Sequence, residues 1–138
     1  MENSENVDSY RAEVAARNRR YVLESRERKL TITVFGLMAY SAFGNFVGVL
    51  INFAKSPADA VLALVLGMLY SFGAYRVWSK DDVRWWPVAV PAGISIALIA
   101  VVWVGGIHRP IPLLLNIVLL ILVPIRRRAV LAIPKRST

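Results

Sequence analysis

A chain of 138 residues that is 57% hydrophobic, with a mean hydropathy of +0.51, is too apolar for a soluble domain of its size and too short for more than one membrane bundle. The absence of cysteine excludes disulfides, thiolate metal sites, iron–sulfur clusters and cysteine nucleophiles. The net charge of +8 would point to nucleic acid in a soluble protein. Here it belongs beside membrane helices, where anionic lipid headgroups are the nearest counter-charge, and nucleic acid is not an expected partner.

Residues 1–29 hold seven Lys/Arg and six Asp/Glu and no long apolar run. Asp8 can cap a helix, and Glu13 with Arg17 and Glu24 with Arg28 stand in the favourable acid-first order four apart. Val7, Tyr10, Val14 and Tyr21 recur at helical spacing as a thin apolar stripe. The segment reads as a cytoplasmic lead-in helix, continuous with the span that follows or docked on a partner or the lipid surface. Because it is polar, and the first apolar run is longer than a signal core, no cleavable signal peptide is expected.

That first apolar run, residues 30–54, is 25 residues without a charge and long enough to cross a hydrocarbon core of about 30 Å with some tilt. Ser41, Asn45, Gly48 and Asn52 are spaced four, three and four apart and share one face, with Gly44 at its edge. Gly44 and Gly48 form a GxxxG pair, which permits close approach of two helix backbones in lipid, so this face is expected to meet protein.

After a short turn at Lys55-Ser56-Pro57, a second span is expected over 58–78, with Asp59 complementing the dipole at its start. Ala60, Ala63, Gly67, Ser71 and Ala74 give it a small-residue stripe, so spans one and two are the expected close antiparallel pair. Lys80, Asp81, Asp82 and Arg84 form a polar loop before the interfacial anchor Trp85-Trp86-Pro87. A third span is expected over 88–105. A turn at Gly105 to Pro110 leads to a fourth over 111–125, which at 15 residues is about 22 Å of helix and short for a full crossing. The basic tail 126–138 carries Arg126, Arg127, Arg128, Lys135 and Arg136, which are expected at lipid headgroups as a topology signal.

Alternating segments place 15 Lys/Arg on one side of the membrane and two on the other, so both termini are expected in the cytoplasm. The expected fold is therefore all-α: a four-helix integral membrane bundle, N-in and C-in, behind a short amphipathic helix. The layout resembles that of small bacterial inner-membrane proteins, which sets the expected location.

Residues 30–54, 60–75, 88–107 and 111–125 contain no Asp, Glu, Lys, Arg or His, which argues against proton coupling, voltage sensing or a metal or haem site built by this chain. His108 is the sole histidine and lies in a loop. Ser95 in Gly93-Ile94-Ser95 lacks the second glycine of a nucleophile elbow and reads as a small residue at a helix contact. Asn45, Asn52, Asn116, Ser41, Ser71, Tyr40 and Tyr70 are the polar groups at depth, enough to set helix register and, on the Ser41–Asn52 face, to meet a partner.

No catalytic role and no cofactor are expected. The expected role is an accessory or assembly subunit that binds other membrane helices, or itself, through Ser41, Gly44, Asn45, Gly48, Asn52, Gly67, Ser71 and Asn116, with anionic lipid at the basic tail. A membrane immunity protein that neutralises a toxin, and a small transporter or channel with a Ser/Asn-lined path, are the alternatives from other classes.

Overall fold

A computed structural model describes residues 2–79, 84–106 and 110–133. All regular structure among them is helical: α1 (Glu2–Asn52), α2 (Pro57–Trp78), α3 (Trp86–Val104) and α4 (Pro110–Leu131). Three of these, α1, α2 and α3, are long and apolar enough to cross a membrane, which marks an integral membrane protein. Helix is what hydrocarbon demands of such segments, because it satisfies every backbone group within the segment.

The lead-in and first span are one helix. No glycine or proline separates Lys29 from Leu30, so α1 runs unbroken for 51 residues, about 77 Å. It ends where the Asn52 carbonyl accepts from the amides of Lys55 and Ser56. Ser56 then caps α2, its side chain accepting from the Asp59 amide, with Pro57 in the first turn. Both features match the turn read at Lys55-Ser56-Pro57.

α4 continues as helix beyond Ile125, where the expected fourth span ends, through the three arginines to Leu131, since charge does not terminate a helix.

The helices neighbour one another in chain order, and α4 closes on α1, with α1 and α2 in the most extensive contact. Their antiparallel course follows from which residues meet: Gly48 lies on Ala63, Gly67 under Phe46, and Phe35 beside Trp78 with ring centroids 4.9 Å apart. α3 turns back in the same way, its Trp86 ring 5.9 Å from Phe72 and its Ser95 beside Tyr70. Each helix supplies one face to the core: Val34, Met38 and Ala42; Leu66, Tyr70, Ala74 and Val77; Val88 and Ala92; Leu119 and Val123.

The tightest approach is at Gly73. A β-carbon there would collide with the Met38 side chain and with the Pro87 carbonyl, whose backbone cannot swing aside. Gly44, by contrast, faces open space. Gly73→Ala is therefore expected to destabilise the fold by about 1–3 kcal/mol, and Gly44→Ala to leave the isolated chain unchanged. Thermal unfolding of both variants in mild detergent measures the difference.

Candidate functional site

Polar side chains at depth gather in two clusters, both of which tie α4 to α2 across the bundle. The first is centred on Tyr70. Its hydroxyl contacts the Asn116 side-chain carbonyl on α4, lies 2.8 Å from Ser95 Oγ on α3, and sits 3.3 Å from the Pro91 carbonyl. A phenol has one proton. Asn116 Oδ1 can only accept, so Tyr70 donates to it and is free to accept from Ser95. The amide nitrogen of Asn116 is used as well, donating to the Pro112 carbonyl at 2.8 Å.

With Asn116 4%, Ser95 8% and Tyr70 1% exposed, these groups are shielded from lipid and have partners, as polar groups in hydrocarbon must. The cluster contains no carboxylate or imidazole to move a proton. It fastens α2, α3 and α4 to one another.

The second cluster is centred on Arg126, at the end of the bundle where α2 finishes. Arg126 is 5% exposed. Its Nε donates to Thr31 Oγ1 on α1 at 3.0 Å, and its Nη2 to the Val77 carbonyl on α2 at 3.0 Å. Thr31 passes the chain on by donating to Glu27 Oε1 at 2.7 Å. One planar guanidinium thus bridges three helices, and its charge is linked through a hydroxyl to a carboxylate one turn back on α1.

The sequence reading grouped Arg126 with Arg127 and Arg128 as headgroup-facing. In the structure only Arg127 and Arg128 are exposed, while Arg126 shares the inward face of Asn116, Leu119 and Val123. Lys135 and Arg136, the rest of that tail, lie outside the described residues, as do His108, Asp81 and Asp82.

The expected partner face on α1 is divided in the structure. Gly48 meets α2 of its own chain, with Ala63 Cβ 3.7 Å from a β-carbon built there. Asn45 sends its amide to the Ser41 carbonyl of its own helix at 2.8 Å. Asn52 is half-buried at the helix end, and Gly44 is exposed. On α2, Gly67 lies against the Phe46 ring, 3.0 Å from its nearest atom to a built β-carbon, and Ser71 donates to the Gly67 carbonyl at 2.9 Å. Of the expected interface residues, then, Asn116 alone joins a polar cluster between helices. Tyr70, Ser95, Thr31 and Arg126 are the members that a search for small-residue stripes did not assemble.

Between α1 and α2 a groove of about 500 Å³ opens laterally. α1 lines it with Phe35, Ala39, Ala42, Phe43 and Phe46, and α2 with Ser71, Ala74, Tyr75 and Trp78. Ser71 is its polar member, and that hydroxyl is already bonded to its own helix. Among the described residues no three His, Asp or Glu side chains come together as metal ligands. Comparison of the chain with protein-family models, with curated proteins and with solved structures gives no match.

Two outcomes follow for the clusters. Tyr70→Phe removes both the donation to Asn116 and the acceptor for Ser95, and is expected to cost about 1–2 kcal/mol. In a double-mutant cycle with Asn116→Leu the costs are expected to fall short of additivity, which detergent unfolding curves of the two single variants and the double variant will read.

Arg126→Met leaves the Val77 carbonyl and Thr31 without their cationic donor. Arg126→Lys supplies a point charge that cannot reproduce a fork with two nitrogens on two helices. Both are expected to lower the unfolding midpoint, Lys less than Met, whereas Arg127→Met leaves it in place.

Proposed function

We propose that this chain is a non-catalytic accessory or assembly subunit of a larger complex in a bacterial cytoplasmic membrane, holding other membrane helices against its own bundle. The observation that carries the reading is the lateral groove between α1 and α2. Its shape is a trough open to the side, lined by aromatic rims and a floor of Ala39, Ala42 and Ala74, which suits the ridge of another helix. The polar groups inside the bundle are engaged with one another, so they support a packing role more than a solute path or a reaction.

The reading places all four helices across the membrane. α4 is short in apolar length, but Asn116 lies level with Tyr70 and Arg126 level with Val77, so it accompanies α2 from the middle of the bundle to one end. The 15-to-two partition of Lys/Arg supports cytoplasmic termini. A guanidinium held by protein at the level of Thr31, next to the start of the apolar run, and of Val77 at the end of α2 suits a headgroup-depth position.

In-cell cross-linking of a tagged chain, then mild-detergent purification and mass spectrometry, tests the role. Defined membrane subunits at fixed stoichiometry are the expected result. Recovery of this chain alone would reject a constitutive subunit.

A further inference from the structure

The bundle is flush at its Arg126 end and stepped at the other. The Tyr70 hydroxyl, which meets Ser95 and Asn116, marks one level across α2, α3 and α4. Because Gly67 lies against Phe46 and Gly73 against Met38, Ala42 of α1 stands at that level too. Toward Arg126 the three helices run a similar distance, about 12 Å to Trp78, 14 Å to Trp86 and 15 Å to Arg126 itself. In the opposite direction α2 continues to Pro57, α3 to Val104 and α4 only to Pro110, which are about 20, 14 and 9 Å.

Burial follows the step. The contiguous apolar core runs from the Tyr70 level toward Arg126, and Leu66, one turn beyond Tyr70, is its one described member on the stepped side. Further out, Ala60 is buried beside the Ser56 turn. Ser95 and Asn116 are buried, but Leu98 and Val102 further along α3, and Leu113 on α4, are half-buried. α1 shows the change along a single face. Thr31, Val34, Met38 and Ala42 are buried, whereas Asn45, Val49 and Asn52, which continue their line within an arc of about 80°, are half-buried. The face has not turned; the helices opposite it end or draw away.

Polarity changes on that line at the same place, and so does the pairing of polar groups. Tyr70, Ser95 and Asn116 at the base of the step are bonded to one another. Asn45 gives its amide to the Ser41 carbonyl, but among the described residues its Oδ1 accepts no hydrogen bond and the Asn52 carboxamide makes none. An unpaired carboxamide is costly in hydrocarbon. Asn45 lies seven residues, about 10 Å, inside the end of α1, which is deep for a group with no protein partner. An acyl chain between the parted helices would leave that cost in place, whereas water removes it.

We infer that the stepped end of the bundle is a water-filled recess, entered from the membrane side opposite Arg126, with Asn45 and Asn52 on its α1 wall and the Tyr70 trio as its floor. The recess ends blind, because Met38, Val77, Ala92, Leu119 and Val123 close the bundle beneath the trio. Water at this depth also serves the first-turn amides of α4, which begins well below the turn between α1 and α2. The inference takes from the proposed reading the crossing of all four helices and the cytoplasmic termini; it is independent of the accessory role.

The chain has no cysteine, so single thiols report their own surroundings. The test introduces Asn45→Cys, Val49→Cys, Val47→Cys and Met38→Cys separately, with Lys55→Cys and Arg127→Cys as markers of the two membrane sides. Spheroplasts are treated with a small, membrane-impermeant cationic methanethiosulfonate, and the modified fraction of the full chain is read by mass. Thiolate in water reacts; a thiol in hydrocarbon stays protonated and does not. Val47 is the decisive control, at the height of Asn45 and Val49 but exposed on the opposite side of α1. Val49→Cys keeps Asn45 in place, so the result does not hang on the variant that removes it.

The expected result is reaction at Lys55, Asn45 and Val49, the latter two at least about tenfold faster than at Val47 or Met38, with Arg127 reacting only after lysis. Unreactive thiols at Asn45 and Val49 beside a reactive Lys55 would show a dry interior and overturn the recess. Equal reaction at Val47 would overturn it too, since α1 would then stand in water on every side at that height. Reaction at Met38 would overturn the closed floor. Arg127 reacting in place of Lys55 would overturn the orientation instead, and Asn45 and Val49 reacting only after lysis would then keep the recess on the side opposite Arg126.

Discussion

The Tyr70 hydroxyl is the point on which the arrangement of α2, α3 and α4 depends. In a lipid environment the apolar faces of these helices gain little by meeting, because hydrocarbon tails solvate Leu and Val as well as another helix does. What distinguishes the native packing from four separate helices is close fit and the pairing of groups that lipid cannot pair. Tyr70 draws Ser95 and Asn116 to one oxygen, and Asn116 in turn spends its amide on Pro112. The register of α4 against α2 and of α3 against α2 is thereby set at one height, and side chains such as Leu119 and Ala92 pack around a position already chosen.

Arg126 fixes the same pair of helices a second time, ten residues along α4, and adds α1 through Thr31. Two separated points of attachment define an orientation where one defines only a contact. The second point differs in kind from the first. A guanidinium is costly to bury, so it is retained only where a carbonyl and a hydroxyl with a carboxylate behind it are placed to receive it. It lies near the end of the bundle, where α2 finishes, while a neutral trio serves in the middle.

Three helices of membrane-crossing length and hydropathy were legible because such runs as 30–54 leave few alternatives. The small-residue stripe on α2 did identify α1 as its close neighbour. The rest was hidden for identifiable reasons. GxxxG at Gly44 and Gly48 carries the signal of close packing, yet the glycine under real constraint is Gly73, whose neighbour Pro87 comes from another helix that no local pattern reveals. Ser41 and Asn45 share a face, and helical spacing alone does not say that Asn45 will bond back to its own backbone instead of outward.

The three arginines that close the expected fourth span do not close the helix, because charge interrupts no backbone hydrogen bond, and α4 runs on to Leu131. Reading on would have shown Asn116, Leu119, Val123 and Arg126 at spacings of three, four and three, one face with a polar group at each end. Polarity at both ends of a buried stripe is itself a signature: each end has to find partners on other helices, and so fixes where they lie.

The same logic separates the inward side of α1 from its outer edge. Inward, Thr31 is consumed by Arg126, and Val34, Met38 and Ala42 by the core. On the outer side, Val7, Tyr10, Val14 and Tyr21 are exposed and interleaved with charged residues such as Arg17 and Arg28. A free-standing helix of this length in water also draws little stability from propensity alone; most helices are held by packing of an apolar face. The part of α1 beyond the bundle has its ion pairs on the surface, worth a few tenths of a kcal/mol each, and its apolar face is uncovered.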